Sequence, residues 1–429
     1  MSGRIRRVLN GVGANAFGQL VTVFVQLASL PVYMSVWSGD QYGKWLILAA
    51  VPIYISMADA GFIGVAINKM TMDYASGDIE SANLVFSSSL VFVAALSLLL
   101  FVLSVIVIFF LGIEYFSEGD NAWVLMFLLV SSFISLYVNF FDAIPRASGN
   151  YALGVYLVNF VRLIEWCGGV ASFFMVSDSF YSVALGGMLV KLFFVLIINA
   201  YLIKRFRDFR WTFFNFSFSI IRDMLPKAFA YLCFPVGNAL NLQGAVFVGG
   251  YFFGPLFVAQ FSTFRTISRV VIQMMTMVNR SLWPEITRAW AIGDKFLVKK
   301  IYNKGSYLSL AASVGVVLVV FAFSDFILSK WTGGKIPNNE LMLGLLLIAT
   351  AISGAGQLGV VVLLATNNHS RIAVLYLIFS FVSLIVSLVF CNVIGWVALP
   401  VSIILFDIAN YVFSRASVSN MLRDENYAA

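Results

Sequence analysis

Residues 84–112 read LVFSSSLVFVAALSLLLFVLSVIVIFFLG, a run of 29 residues without a single charged side chain. A transmembrane helix needs about 20 consecutive apolar residues, so this run is long enough to cross a bilayer. Lipid offers no partner to backbone polar groups, so a spanning segment must be a helix or part of a closed barrel, and barrel strands are only about half as long as this run. The stretch therefore predicts a transmembrane helix.

The rest of the chain repeats this pattern. Of its 429 residues, 61% are hydrophobic and only 11% are charged, whereas about a quarter of a soluble domain is charged. We predict an all-α integral membrane protein of about twelve transmembrane helices. The predicted spans are 12–36, 42–66, 84–112, 122–145, 150–176, 179–202, 227–252, 255–284, 304–328, 340–366, 370–393 and 396–418.

Lysine and arginine predict the orientation of these spans. With the amino terminus on the cytoplasmic side, nineteen of the 27 basic residues fall in cytoplasmic segments, three fall on the other side and five lie within spans. This bias predicts cytoplasmic positions for both termini. The net charge of +7 therefore reflects the basic residues that orient the spans, and it does not indicate a nucleic-acid site. We predict a location in a bacterial plasma membrane.

A basic segment near the middle of the sequence, residues 204–226, divides the spans into six and six. We predict an amino-terminal bundle over 1–203 and a carboxy-terminal bundle over 227–429, joined by this cytoplasmic loop. Its arginines and phenylalanines suit a segment on an anionic inner leaflet, although a simple tether would carry similar charges. Glycine-containing turns at 38–45 and 253–261 form a weak internal repeat, which supports a division into two lobes.

The eighth predicted span carries polar residues on one helical face. The stripe consists of Ser262, Arg265, Arg269, Gln273, Thr276 and Arg280, separated by three or four residues. Guanidinium groups suit bidentate capture of phosphate, so Arg265, Arg269 and Gln273 are predicted to bind substrate. The alternative is that the arginines pair with Asp59, Asp142, Glu165 and Asp407 for packing alone.

The first span carries an uncharged stripe with the same spacing. Its members are Asn15, Gln19, Thr22, Gln26, Ser29 and Tyr33. Amides and hydroxyls on a water-filled wall could bind sugar hydroxyls, which makes Asn15, Gln19 and Gln26 candidate substrate ligands. Polar side chains of this kind also hold helices together in lipid, and that alternative stays open.

The remaining intramembrane charges need partners, because an unpaired charge in lipid is costly. Lys191 is alone in its span and is predicted to meet a ligand or another helix. Arg162 and Glu165 stand three residues apart, which permits an intrahelical pair. Asp59 and Asp407 are candidate counter-ions or sites for a coupling proton or sodium ion.

Several functions are not indicated by the sequence. There is no Walker motif, no acid–base or metal constellation, and no CxxC spacing among Cys167, Cys233 and Cys391. The one histidine, His369, lies in a short predicted loop and is given no role. We therefore expect a protein that is not an enzyme and that needs neither cofactor nor metal.

Short motifs along the chain resemble those of the polysaccharide and O-antigen flippases, a family of the multidrug/oligosaccharidyl-lipid/polysaccharide (MOP) exporter superfamily. The matching segments, in chain order, are Leu30-Pro31, Tyr42-Gly43-Lys44-Trp45, Asp59-Ala60-Gly61-Phe62, Pro145-Arg146-Ala147-Ser148-Gly149, Gln260 to Arg269, and Trp283-Pro284-Glu285. The six-plus-six layout agrees over nearly the whole chain. The resemblance rests on the order of these segments along the chain.

This resemblance implies a V-shaped pair of helical bundles around a cavity. Such proteins move an undecaprenyl-diphosphate-linked oligosaccharide to the outer leaflet by alternating access, with charged cavity residues that would correspond here to Arg265 and Arg269. The expected partners are this substrate, membrane lipid and polysaccharide-assembly proteins, and the expected state is a monomer.

Two alternatives are kept. A cation-coupled multidrug exporter of the same superfamily would use buried acids, chiefly Asp59 and Asp407, to bind a cationic solute. The sequence weighs against it, since five basic residues outnumber four acids within spans and the first span lacks the acid that is frequent in multidrug exporters. A non-transporting scaffold for glycan-assembly enzymes would have no need to bear the cost of buried charge on several helices.

Overall fold

A computed structural model gives the fold and describes residues 2–56, 60–110, 119–366, 368 and 370–423. That part of the chain is almost wholly helical, with no strand. Its first eight helices are α1 (Ser2–Met34), α2 (Gly39–Ser56), α3 (Ala60–Ala75), α4 (Ile79–Phe110), α5 (Asn121–Val138), α6 (Phe140–Ala147), α7 (Tyr151–Met175) and α8 (Phe180–Arg205). The next seven are α9 (Phe218–Ser281), α10 (Trp283–Ala291), α11 (Lys295–Ala322), α12 (Ser324–Thr332), α13 (Glu340–Ala365), α14 (Ser370–Ile394) and α15 (Ala398–Arg423).

Nine helical stretches of the described chain are long and apolar enough to cross a membrane. Two of them hold two crossings each: the 42 residues of Leu232–Gln273 contain a backbone break, and the 54 residues of Ser370–Arg423 contain a short 3-10 turn. The second predicted span is divided between α2 and α3. These counts agree with about twelve spans and confirm an all-α membrane protein.

Local signals explain where several helices begin and break. The side chains of Ser179, Asp294 and Asn339 accept hydrogen bonds from backbone N–H groups three residues later, which caps α8, α11 and α13. Gly254 has a φ of 81° inside α9, a conformation that glycine adopts at little cost. It separates a first arm, 218–253, from a second arm, 255–281, and the break falls in the turn predicted at 253–261.

The chain forms two compact units. Unit 1 consists of Met1–Val32 and Leu48–Pro235, and unit 2 consists of Tyr33–Ile47 and Val236–Ala429. Unit 1 thus contains the whole of the predicted connecting loop, whose Phe206 and Phe209 join a buried core with Phe62, Phe86 and Phe140. Unit 2 has its own core around Phe261, Phe264 and Leu343.

Within unit 2, the two glycine-containing turns at 38–45 and 253–261 lie in contact. A Cβ atom added at Gly43 would lie 1.7 Å from the carbonyl oxygen of Pro255, so only glycine fits there without movement of the backbone. The ammonium of Lys335 donates to the carbonyl of Met34, and the amide of Gln260 donates to the carbonyl of Pro337 at 2.9 Å. We call these residues the turn cluster.

Candidate functional site

The polar stripes of α1 and α7 face each other in unit 1. Three hydrogen bonds cross between them: Tyr151 Oη donates to Asn15 Oδ1 (3.0 Å), Arg162 Nη1 donates to Thr22 Oγ1 (3.0 Å) and Trp166 Nε1 donates to Ser29 Oγ (2.8 Å). The α7 partners are spaced so that they fall on one face of a helix. We call this row of contacts the polar seam.

A close approach of the two helices makes the polar seam possible. A Cβ atom at Gly18 would lie 2.7 Å from Nδ2 of Asn159, so glycine leaves room for that amide. Asn159 in turn donates to the carbonyl of Val155 at 2.8 Å. Small residues allow membrane helices to pack closely and polar side chains hold them together. Gln19 and Gln26 are also half-buried in α1.

Arg162 is the notable member of the polar seam because it is exposed, although it lies near the middle of the 25-residue α7. A charge at the centre of a bilayer costs about 2.5–3.5 kcal/mol when it faces lipid. An exposed arginine at this depth is therefore expected to face water.

One helical turn along α7, Glu165 belongs to a different group. Its Oε2 atom lies 2.9 Å from the ammonium of Lys191 on α8, whose side chain is 2% exposed. Lys191 also donates to the carbonyl of Ser131 at 2.7 Å and to Oγ of Ser135 at 2.5 Å, and Ser131 Oγ donates to Glu165. We call these four residues the Lys191 centre.

The contacts of the Lys191 centre differ from the pairing that the sequence permitted. The i,i+3 spacing permits a pair between Arg162 and Glu165, but the structure pairs Glu165 with Lys191 and bonds Arg162 to Thr22. For Lys191 we predicted either a substrate ligand or a partner on another helix, and the structure shows the second, since its ammonium is surrounded by oxygen atoms of α5 and α7. Of the two cations, Arg162 is exposed and Lys191 is buried.

In unit 2, the predicted stripe lies on the second arm of α9. Arg265 donates to the carbonyl of Leu242 on the first arm, and its guanidinium lies 5.4 Å from the ring centre of Phe261. Further along, Thr276 accepts a hydrogen bond from the amide of Gln357 on α13 at 2.5 Å. Part of the stripe therefore bonds within the bundle. Gln273 is half-buried, and the side chain of Arg280 lies outside the described residues.

Arg269 belongs to a second charged group of unit 2. Arg269 and Asp407 both lie close enough to Tyr376 to act on it electrostatically. Asp407 is buried on α15 and its carboxylate accepts a hydrogen bond from Ser353 of α13. We call these four residues the Asp407 centre. It brings two predicted residues, Arg269 and Asp407, to one place.

Some predicted residues are not placed, and some functional candidates were not predicted. Asp59 and His369 lie outside the described residues. Ser131, Ser353 and Tyr376 were not singled out, because a neutral side chain in an apolar span gives little signal until its charged neighbour is known. Over the part of the chain that is described, no group of three or more histidine, cysteine, aspartate or glutamate residues could hold a metal ion.

Comparison with known proteins identifies the fold. No family model matches the sequence, and no curated protein matches it. Solved structures do match. The chain superposes with a TM-score of 0.73 and 14% identity on an inward-facing multidrug resistance MATE family transporter of the MOP superfamily, with 97% of this chain and 99% of that chain covered.

Two further structures agree. A mutant of a Vibrio cholerae MATE transporter gives a TM-score of 0.63 at 16% identity over 100% of this chain and 99% of that one. An outward-facing multidrug resistance MATE family transporter of the MOP superfamily gives 0.60 at 15% identity over 95% and 96%. At these identities the likeness shows the fold, so the chain has the fold of MOP-superfamily transporters.

Proposed function

We propose that this protein is a secondary exporter that carries an amphipathic solute across a bacterial plasma membrane by alternating access. The exposed Arg162 in the middle of α7, bonded into the polar seam, is the observation that carries this proposal. A charge at that depth is tolerated where it meets water or a polar solute. The transporters that share the fold support the same conclusion.

The cargo that we put forward first is an undecaprenyl-diphosphate-linked oligosaccharide. Its diphosphate would be bound by Arg162, because a guanidinium group suits phosphate oxygens. Its sugars would meet the amide and hydroxyl groups of the polar seam, including Asn15 and Gln19. The lipid tail would stay in the bilayer. The same residue motifs that resemble the O-antigen flippases support this choice.

The second candidate is a cation-coupled multidrug exporter. The comparisons favour it over the flippase, since the neighbours with the same fold are described as multidrug resistance and MATE transporters. The Asp407 centre offers this function a buried carboxylate, and Glu165 is a second acid that is half-exposed. The positive charge of Arg162 favours the first candidate, because it would repel a cationic drug.

A reconstituted transport assay separates the two candidates. Purified protein in proteoliposomes would be offered a fluorescent polyisoprenyl-diphosphate oligosaccharide in one experiment and a cationic dye in another. Translocation of the lipid-linked sugar, reduced by Arg162→Ala and not by Arg423→Ala at the exposed end of α15, is the expected result. Transport of the dye alone would establish the second candidate, and transport of neither would overturn the proposal.

A further inference from the structure

The linker between α8 and α9, residues 206–217, packs one of its faces against the rest of unit 1. Phe206 and Phe209 are buried in the core of unit 1. The ring of Trp211 lies edge-on to that of Phe86, with 5.0 Å between ring centres. The linker is thus a packed part of the bundle as well as a connection.

Four hydrogen bonds fix its backbone and one side chain. Asn83 donates to the carbonyl of Asp208 (2.6 Å) and accepts from the N–H of Arg210 (2.7 Å), Ser88 Oγ accepts from the N–H of Ser217 (2.9 Å), and Tyr74 donates to Asp208 Oδ2 (2.9 Å). The linker therefore runs along α4 from Asn83 to Ser88 and is held at both ends.

The other side of the linker presents unpacked aromatic rings. Phe213, Phe214, Phe216 and Phe218 are 54%, 98%, 48% and 73% exposed. We call them the phenylalanine edge. Neighbouring large apolar side chains that are left exposed mark a surface that contacts lipid or a partner. The backbone is hydrogen-bonded to α4 on both sides of Phe213, Phe214 and Phe216, at Arg210 and Ser217.

The depth of the phenylalanine edge follows from α4. Residues 90–110 of α4 form an apolar run of 21 residues, which is about 31 Å long and matches a hydrocarbon core of about 30 Å. Ser88 lies just outside this run and binds the linker at Ser217. The phenylalanine edge therefore lies beside the amino-terminal part of the membrane-spanning stretch of α4.

Positive charges accompany the rings. Lys204, Arg205, Arg207 and Arg210 are all exposed, while the acid between them, Asp208, accepts its hydrogen bond from Tyr74. We propose that the linker is a membrane-surface anchor that binds the phosphate headgroups of anionic lipids, with the phenylalanine edge inserted between headgroups and acyl chains. Basic residues attract anionic lipid and aromatic rings insert at this level.

A spin label tests this anchor in the full-length protein. Asn215, between Phe214 and Phe216, would be replaced by a labelled cysteine after the three native cysteines are replaced, and Ser76 in the exposed turn before α4 would carry the control label. In vesicles with phosphatidylglycerol, the label at 215 should be reached by oxygen and shielded from a water-soluble nickel complex. The label at 76 should be open to nickel.

Lipid charge and protein charge are then varied separately. Vesicles of phosphatidylcholine alone, or Arg207→Gln with Arg210→Gln, should raise the nickel accessibility at 215 several-fold. A label at 215 that is as open to nickel as the one at 76 would overturn the anchor. Insertion that is unchanged by both manipulations would overturn the assignment to anionic lipid. Neither outcome depends on the cargo.

Discussion

The ammonium of Lys191 on α8 lies 2.9 Å from the carboxylate of Glu165 on α7, and the two residues differ in exposure. The side chain of Lys191 is 2% exposed, whereas that of Glu165 is 33% exposed. Buried ion pairs are sensitive to the loss of one partner, because the remaining charge is left in a medium that solvates it poorly. Because Lys191 is more buried than Glu165, removing the charge of Glu165 should destabilise the fold more than removing the charge of Lys191.

We expect Glu165→Gln to destabilise the protein more than Lys191→Met. The first change leaves a fully enclosed ammonium without a counter-ion, at a cost of about 3 kcal/mol. The second leaves a carboxylate that water can still reach. Thermal unfolding of the purified variants in detergent measures both. The double variant should recover part of the loss, and equal effects of the two single changes would contradict the asymmetry.

Arg162 is expected to matter for transport and little for folding. A hydrogen bond to a charged group contributes about 1.5–3 kcal/mol, so Arg162→Ala should weaken the binding of a phosphorylated cargo about tenfold or more. Arg162→Lys keeps the charge but loses the bidentate geometry, and its effect should be intermediate. Binding of labelled cargo to protein in detergent measures the series.

Two outcomes would remove Arg162 from the binding site. One is unchanged affinity in Arg162→Ala, and the other is a lowered unfolding temperature that accounts for the whole effect. Thr22→Val serves as the matched variant, since it removes only the seam partner of Arg162. It should leave cargo affinity closer to that of the native protein.

The turn cluster predicts a contrast between two glycines. Gly43→Ala places a methyl group 1.7 Å from the carbonyl oxygen of Pro255, and the backbone must move to admit it. Overpacking of this kind costs about 1–3 kcal/mol. Gly64 in α3 has nothing within 4 Å of the same added atom, so Gly64→Ala should be neutral or slightly stabilising. Thermal unfolding of both variants checks the contrast, and equal stability would contradict it.

Much of the fold could be predicted from the sequence, because span length and apolar composition are local properties. The break at Gly254 falls in the glycine-containing turn that was predicted at 253–261. The polar stripe of α1 was also predicted from its spacing. Its partner on α7 was not, because spacing shows which face is polar and does not show which neighbour that face meets.

The charged residues show the same limit. Sequence spacing permitted a pair between Arg162 and Glu165, but Lys191 lies on the next helix and offers a better-enclosed partner. Ser131, which binds Lys191, looked like an ordinary span residue until the ammonium was placed beside it. The linker was predicted to be a simple tether or a segment on the anionic inner leaflet. Its buried side packs on unit 1, as a tether would, and its exposed side carries the arginines and phenylalanines on which the proposed membrane anchor depends.

Asp407 gives a prediction about energy coupling. It is buried on α15, accepts a hydrogen bond from Ser353 and lies near Tyr376, on which Arg269 also acts electrostatically. Asn at this position keeps an acceptor for Ser353 but cannot bind a proton or attract a sodium ion. We therefore expect Asp407→Asn to fold normally and to lose its response to an imposed ion gradient.

The measurement is the rate of transport into proteoliposomes with and without a proton or sodium gradient. Coupling between two sites is typically 5- to 150-fold, so the stimulation by the gradient should fall about tenfold or more in Asp407→Asn. Asp40→Asn is the matched control, because Asp40 is exposed and its partner Lys44 lies 3.4 Å away at the surface. Stimulation that is equal in both variants would show that the Asp407 centre is structural. The coupling group would then have to be sought at Asp59 or at Glu165, the half-exposed acid of the Lys191 centre.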